Sequence, residues 1–247
     1  MSELAHNTCK NCGASSSGKY CMQCGQRMAI SKVTFGETFR DLVDALFSVN
    51  APLLITLKGL LKNPGKLLRS YLAGQRKRYY KPVAFFVLTT ILYILIRTLI
   101  GFDPFRNEAF QVQDGAGSGT NLEEARNFML LNINNFLFVF VFTLAAFSKL
   151  FFYRRYSFAE FIAISFYLLG IYTLITTVNM FFIMFISDKM QLLGTAIMLL
   201  YFLFAMSSLL KKPLVLNILK SIVVYIFAWV FYFVLAFSLS YLIVLFT

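Results

Sequence analysis

The four cysteines of the chain are grouped near its amino terminus, in the stretch CKNCGASSSGKYCMQCGQ that covers residues 9–26. They form two C-x-x-C-G pairs, Cys9 with Cys12 and Cys21 with Cys24. A C-x-x-C turn supplies two thiolate ligands, and the glycine that follows permits the positive φ of a metal-binding knuckle. Two such knuckles, joined by a loop rich in Ser and Gly, can surround one ion. The pattern therefore predicts a closed four-cysteine site for Zn²⁺, of the kind that stabilises structure instead of catalysing a reaction.

Other uses of these cysteines are less favoured. Iron accepts the same four ligands, and paired disulfides would require an oxidising compartment, to which nothing in the sequence directs the amino terminus. A redox-active C-x-x-C normally accompanies a βαβ pattern, which is absent from this sequence. The segment is mildly basic and Tyr20 is its one aromatic residue, so a protein-docking or stabilising module is favoured over nucleic-acid binding.

A second group of residues that could bind a ligand lies in the sequence GQRKRYYKP, residues 74–82, which we call the basic elbow. Tyrosines at headgroup level with cations beside them are typical of the start of a transmembrane helix. The elbow therefore serves either as an anchor that sets topology or as a site for an anionic lipid headgroup or a phosphate. The candidate residues for that second role are Arg76, Lys77, Arg78, Tyr79 and Lys81 of the elbow, together with Arg69 of the segment before it.

The composition indicates a membrane protein. Of the 247 residues, 59% are hydrophobic and 14% are charged, and the mean hydropathy is +0.71. Soluble domains have about half apolar and about a quarter charged residues. The net charge of +12 is explained by Lys and Arg in cytoplasmic loops. The single histidine is His6, and no predicted span contains two acidic residues, so the sequence does not predict an enzyme.

The sequence predicts an all-α membrane protein with three parts: a small zinc ribbon with four cysteine ligands in residues 1–30, amphipathic or interfacial helices and the elbow in residues 31–82, and a helix bundle in residues 83–247. One long final helix is predicted because Gly, Pro, Asn and Asp are absent after Asn217. About five transmembrane helices result, near residues 83–101, 129–152, 158–187, 190–210 and 214–247.

Three helices are predicted before the first span, and the first, opened by the capping box Thr34-Phe-Gly-Glu37, is amphipathic and expected to pack on the bundle. Residues 53–62 are too few to cross a bilayer, so this helix is expected to lie in the interface or to enter the membrane and return. A helix over residues 66–73 is expected to place Leu67, Leu68, Tyr71 and Leu72 on lipid, with Lys66 and Arg69 toward phosphates. Within the bundle, Glu160 is expected to form a structural ion pair with Lys149, Arg154 or Arg155.

Charge predicts the orientation of the chain. Three loops on one side carry basic clusters, at residues 76–78, 154–155 and 211–212, whereas the large loop on the other side is acidic. No run that could act as a signal peptide precedes Val83. The amino terminus and its cysteines are therefore expected in the cytosol, and the carboxyl terminus is expected outside.

A resemblance extends these expectations. The residues Pro64-Gly65, Arg69, Tyr71, Gly74, Arg76, Tyr79 and Pro82, following a double C-x-x-C-G, resemble an uncharacterised family of Bacteroidota membrane proteins, domain of unknown function 3667. The stretch YRRYSFAEFIAISFYLLG, residues 153–170, is similar to that family's Tyr-x-Glu-His segment. Phe161 stands where a His is common, so no ligand role is carried to it. The resemblance implies a multi-pass protein of the bacterial inner membrane with an amino-terminal zinc ribbon, and it brings no activity.

These features favour a membrane-anchored binding or scaffold protein. Its zinc ribbon would recruit a cytosolic or membrane protein partner, while the bundle and the elbow contact membrane lipid through anionic headgroups. The alternative is a transporter or a lipid-handling protein, which the helix count and the short helices before the first span would also suit. No inverted repeat is visible to support transport.

Overall fold

The computed structural model describes residues 7–29, 53–102, 121–132, 136–187, 190–211 and 215–246. Within these ranges the chain is mostly helical, with one small antiparallel sheet. The strands are β1 (Asn7–Thr8) and β2 (Ser15–Ser16), and the helices are α1 (Leu53–Lys62), α2 (Pro64–Leu72), α3 (Pro82–Leu99), α4 (Asn121–Leu131), α5 (Leu137–Phe151), α6 (Phe158–Phe185), α7 (Gln191–Leu210) and α8 (Val215–Phe246). The amphipathic helix predicted between the ribbon and α1, over residues 34–47, lies outside the described residues.

Four helices in the described ranges are long and apolar enough to cross a membrane: α3, α6, α7 from Leu192 onward, and α8. Helix α8 runs for 32 residues without a break. Helix α5 is apolar but has 15 residues, or roughly 22 Å at about 1.5 Å per residue, which is less than the roughly 30 Å of a bilayer core. The structure thus supports a membrane protein, while the count of five spans stays a prediction.

The span predicted over residues 129–152 is not one continuous helix. Helix α4 ends at Leu131 and α5 begins at Leu137. The Asn132 side chain donates a hydrogen bond from Nδ2 to the carbonyl of Phe128, at 3.0 Å. Asparagine side chains compete with the backbone for such hydrogen bonds, so an Asn-rich sequence is a weak place in a helix. The hydropathy of the segment did not reveal the division into two helices.

Helix α6 is the central helix of the bundle. Its residues 161–171 are all buried, which is the pattern of a helix surrounded by other helices. It contacts α3, α5 and α7. At the contact with α3, a Cβ on Gly170 would stand 2.4 Å from the Phe85 ring, so glycine at this position lets the two helices approach closely. The large side chains of α3 thereby pack directly onto the α6 backbone.

Aromatic packing joins α5 to α8. The Phe140 ring centroid lies 4.7 Å from that of Trp229 and 5.2 Å from that of Tyr232. Nearer the other end of α5, Phe147 lies 4.9 Å from Phe231. Tilted rings at these separations have a favourable geometry for aromatic pairs. The single tryptophan therefore belongs to the packing of the bundle.

Helix α2 packs on protein instead of facing lipid, so the predicted lipid-facing surface is wrong. Leu67, Leu68 and Tyr71 are at most 3% exposed, and α2 contacts α7. Tyr71 also meets Tyr167 of α6 edge-on, with ring centroids 5.5 Å apart. The reason for the error is physical: an apolar helix face has the same sequence pattern whether its neighbour is an acyl chain or another helix.

Candidate metal centre and basic elbow

The two cysteine knuckles have the same local backbone geometry. Gly13 and Gly25 have φ values of +79° and +68°, in the left-handed region that glycine adopts at low cost. In each knuckle the amide of the first cysteine donates to the carbonyl five residues later, at 2.9 and 2.7 Å, and the glycine amide donates back to that cysteine's carbonyl, at 2.9 and 2.8 Å. The sequence motif thus folds twice into one shape.

Pairing of β1 with β2 and the two knuckles bring the four sulfur atoms together. The Sγ atoms of Cys9 and Cys24 are 3.6 Å apart, as are those of Cys12 and Cys21, and all four lie within 4.8 Å of one another. A tetrahedral zinc ion with Zn–S bonds of about 2.3 Å would place its sulfur ligands about 3.8 Å apart. The donor set therefore fits one metal ion of this size.

Backbone amides favour the thiolate forms that bind metal. A hydrogen bond from the backbone N–H of Cys12 is the largest influence on Cys9 and lowers the pKa of its thiol. In the second knuckle, hydrogen bonds from the backbone N–H groups of Cys24 and then Gln23 lower the pKa of Cys21 to about 7. Since the thiolate is the metal-binding form of cysteine, these backbone hydrogen bonds favour the metal-binding form of Cys9 and Cys21.

The cysteine module, which we define as residues 7–29, lies directly on the basic elbow. The side chain of Gln26 is 6% exposed. Its Nε2 donates to the carbonyl of Gly74 at 2.7 Å, and its Oε1 accepts from the amide of Lys77 at 3.1 Å. Both polar atoms of the amide group are thus bonded to the elbow backbone. Sequence reasoning missed this residue, and a glutamine after a knuckle carries no signal of such a contact.

The elbow backbone is held at both ends. At its start, Gly74 follows the last turn of α2 with a φ of +112°. At its end, the amide of Tyr80 donates to Thr56 Oγ1 at 2.7 Å, and the hydroxyl of Tyr167 donates to the carbonyl of Tyr80. The elbow is therefore a fixed turn between α2 and α3, supported by α1 and α6.

The predicted ligand residues of the elbow differ in their exposure. Lys77 and Arg78 are exposed, whereas Arg76 and Lys81 are half-buried. Tyr79 is 8% exposed, and the Arg78 guanidinium lies 5.8 Å from its ring centroid. The structure therefore corrects the expectation that Tyr79 faces headgroups, because its ring packs inside the protein. Lys77 and Arg78 are the elbow cations that an anionic ligand could reach most directly.

Arg69 has a structural role that the sequence did not predict. Its Nη1 donates to the carbonyl of Ser208, and to that of Leu209 at 2.9 Å. These carbonyls belong to the last turn of α7, where helical hydrogen bonds run out and a cation is favourable. The two helices meet closely here, since a Cβ on Gly65 would lie 2.2 Å from the carbonyl carbon of Ser208. This contact accounts for Arg69 without an anionic ligand.

Glu160 caps α6 instead of forming the predicted ion pair. Its carboxylate accepts from the amide of Ser157 at 2.7 Å, and the hydroxyl of Ser157 accepts from the amide of Glu160 at 3.2 Å. This reciprocal arrangement is a capping box, for which the sequence Ser-x-x-Glu was a readable signal. Lys149 donates from Nζ to the carbonyls of Tyr153 and Tyr156, at 2.6 and 2.9 Å.

Several basic segments converge at the end of the bundle that carries the elbow. Tyr156 shows their proximity: burial raises its pKa, and Arg69, Glu160 and Arg155 lie close enough to act on it electrostatically. The start of α6, the end of α7 and helix α2 therefore meet at this end. Exposed cations at this end include Lys66, Lys77, Arg78, Arg154, Arg155 and Lys211.

Comparison with known proteins bears on the same region. Residues 52–94 match a family described as "Protein of unknown function (DUF3667)". The match covers α1, α2, the elbow and the first part of α3, and it does not extend to the cysteines or to residues 153–170. No curated protein and no solved structure matches the chain. The chain is thus similar to this family over the segment that forms the elbow.

Proposed function

We propose that the chain is a multi-pass inner-membrane protein that serves as a membrane-anchored binding or scaffold protein and not as an enzyme. Its cysteine module holds one Zn²⁺, and its elbow end contacts anionic lipid headgroups while the module recruits a protein partner. The observation that carries this proposal is the convergence of exposed cations around the elbow, with the cysteine module attached to the same surface.

The four cysteines would hold the zinc ion in a closed shell. Such an ion stabilises the fold of the module and leaves no open position for a substrate. Elemental analysis of the purified protein should find one zinc per chain. A protein with Co²⁺ in place of zinc should show the absorption of a tetrahedral tetrathiolate site. An iron-type spectrum or a metal-free, correctly folded module would contradict the assignment.

Lipid binding should depend on elbow cations more than on charge elsewhere. One exposed cation near an anionic surface contributes about 1 kcal/mol, or about a fivefold change in affinity. Arg78→Gln should therefore weaken binding of short-chain phosphatidylglycerol to the protein in neutral detergent by about that factor. Arg126→Gln is the matched control, because Arg126 is an exposed arginine of α4, outside the elbow.

Short-chain phosphatidylcholine, titrated in parallel, separates headgroup charge from acyl-chain binding. Equal affinity for the two lipids, or equal losses in the Arg78 and Arg126 variants, would reduce the elbow to an anchor that sets topology. Arg76→Lys and Arg78→Lys distinguish a phosphate site from a topology signal. A bidentate phosphate contact needs the planar guanidinium, so a phosphate site should bind phosphatidylglycerol more weakly in these variants. A topology signal needs charge only, so it should be unaffected.

The proposed orientation places the amino terminus and the elbow in the cytosol and the carboxyl terminus outside. It is supported by the segregation of charge, because at least six exposed cations lie at the end of the described bundle that carries the elbow. A reporter active only in the cytosol should work when fused to the amino terminus and fail when fused after Thr247. Activity at both termini would require an even number of crossings.

A second candidate function, lipid handling, is favoured by a pocket on the side of the bundle. The pocket has a volume of about 360 Å³ and lies between α1, α6 and α7. Its walls are apolar except for Asn179, and they include Leu57, Ile175 and Ile197. Native mass spectrometry should then find a stoichiometric lipid on the protein, and Ile175→Trp, which fills the pocket, should remove it. Retention of the lipid in that variant would exclude this location.

A further inference from the structure

Gln26 belongs to two parts of the molecule at once. Its backbone carbonyl accepts a hydrogen bond from the amide of Cys21, at 2.7 Å, and so closes the second knuckle. Its side-chain amide is bonded to the elbow through Nε2 to Gly74 and through Oε1 to Lys77. A single residue therefore links the metal-binding backbone to the segment that presents the elbow cations.

On the elbow side, Gln26 closes a turn of the backbone. The carbonyl of Gly74 accepts from the amide of Arg76, at 2.8 Å, in addition to Gln26. The amide of Lys77, one residue later, completes the contact with Gln26 Oε1. The glutamine amide thus bridges the first and last residues of the stretch from Gly74 to Lys77. It thereby fixes the backbone from which the side chains of Lys77 and Arg78 extend.

On the module side, the position of Gln26 depends on the cysteine cluster. Among residues 8–29 the structure buries the side chains of Cys9, Ser16, Cys21 and Gln26. So small a set of buried side chains cannot stabilise a fold by apolar burial, and small domains of this kind usually need a metal. Gln26 is therefore expected to hold its position only while the four thiolates are joined by an ion.

We propose that Gln26 is the positioning residue through which the metal-loaded cysteine module holds the elbow turn. Metal binding then sets how Lys77 and Arg78 are presented to an anionic headgroup. This inference rests on the proposed zinc site and deepens the proposed lipid contact, since it makes the metal site a regulator of the elbow. Loss of the ion would release the turn while leaving the helices in place.

Hydrogen–deuterium exchange at the Lys77 amide tests the link directly in the full-length protein. The readout is residue-resolved mass spectrometry with electron-transfer fragmentation. Removing one hydrogen bond should speed exchange at this amide by about tenfold. We expect that acceleration in Gln26→Ala with zinc still bound one to one, and in the wild-type protein after chelation of zinc. Gln23→Ala is the matched control, because Gln23 is an exposed glutamine of the same knuckle, and it should leave the exchange rate unchanged.

The outcomes separate the inference from the proposed function. Unchanged protection of Lys77 in Gln26→Ala, or after zinc removal, would overturn the role of Gln26 as the link. Phosphatidylglycerol binding is then measured on the zinc-bound wild-type protein, the zinc-free protein and the Gln26→Ala and Gln23→Ala variants, and it should weaken only in Gln26→Ala and in the zinc-free protein. Accelerated exchange with unchanged lipid binding would support the link and overturn the proposed control of lipid binding by the metal site, whereas failure of the lipid contact itself is read from Arg78→Gln.

Discussion

The cysteine module and the helical bundle are parts of one chain with different sources of stability. The bundle buries a continuous set of large apolar side chains, among them Phe86, Phe140 and Phe202, each with no exposed surface. The module buries few side chains, and two of those are the cysteines Cys9 and Cys21. All four cysteines lie in the module, so the stability of the bundle does not depend on a cysteine or on a metal bound by one.

The difference means that each part should fail under a condition that the other survives. Apolar packing and close helix contacts do not depend on a metal, whereas a module without an apolar core depends on it almost entirely. Gln26 and the elbow form the contact between the two parts. Substitutions in either part therefore test whether the division is as sharp as the contacts suggest.

The largest expected effect is the loss of a metal ligand. Structural zinc in small modules contributes on the order of 10 kcal/mol of apparent binding free energy. Cys21→Ser should therefore abolish stoichiometric zinc and unfold the module, while the helix content and the melting temperature of the bundle stay unchanged. The measurement is zinc content together with circular dichroism during heating in detergent. A parallel loss of bundle stability would show that the two parts are one cooperative unit.

The next effect concerns the close contact of α2 with α7. A Cβ at residue 65 would meet the backbone of Ser208 at 2.2 Å, and backbone cannot move aside as a side chain can. Gly65→Ala should therefore lower the free energy of unfolding of the bundle by about 3 kcal/mol.

Gly59→Ala is the matched comparison, since its Cβ would meet the flexible Leu67 side chain, at 2.7 Å to Cδ1. We expect it to cost less than about 1 kcal/mol. Zinc content should be unchanged in both variants. Equal melting temperatures for the two variants in detergent would mean that α2 and α7 separate easily.

A smaller effect is expected from Arg69. Its hydrogen bonds to the last carbonyls of α7 involve a charged donor, for which a contribution of about 2 kcal/mol is typical. Arg69→Ala should lower bundle stability by that amount, and Arg69→Lys should recover part of it. If both variants kept wild-type stability and instead lost phosphatidylglycerol binding, Arg69 would be a lipid ligand as the sequence suggested.

The smallest effect distinguishes a helix cap from an ion pair. Glutamine replaces glutamate in a capping box, so Glu160→Gln should leave the stability of the bundle nearly unchanged, whereas Glu160→Ala should cost about 1 kcal/mol. An ion pair would be lost equally in both variants. The comparison is made by chemical denaturation in detergent, read as a shift in the midpoint. Equal destabilisation of the two variants would support the ion pair and contradict the cap.

Features that depend on residues close together in the sequence could be predicted without the structure. The spacing of Cys9, Cys12, Cys21 and Cys24 predicted one cluster, and the structure brings their sulfur atoms within 4.8 Å of one another. The capping box of Ser157 and Glu160 was equally local, although the charge of Glu160 drew the interpretation toward an ion pair. In the last segment, the absence of helix-breaking residues pointed to one helix, and α8 is one helix.

What the sequence by itself determined was therefore the metal-binding pattern, the apolar helices and the basic elbow, because each follows from residues within a few positions of one another. Only the tertiary structure decided which surfaces these elements turn toward one another. Gln26 and Gly74 are 48 residues apart, and Arg69 and Ser208 are 139 apart. Pairings of this kind depend on how helices and knuckles pack in space, and an apolar face or a single polar residue does not specify its partner. For that reason α2, Arg69 and Gln26 acquired their roles only through the fold.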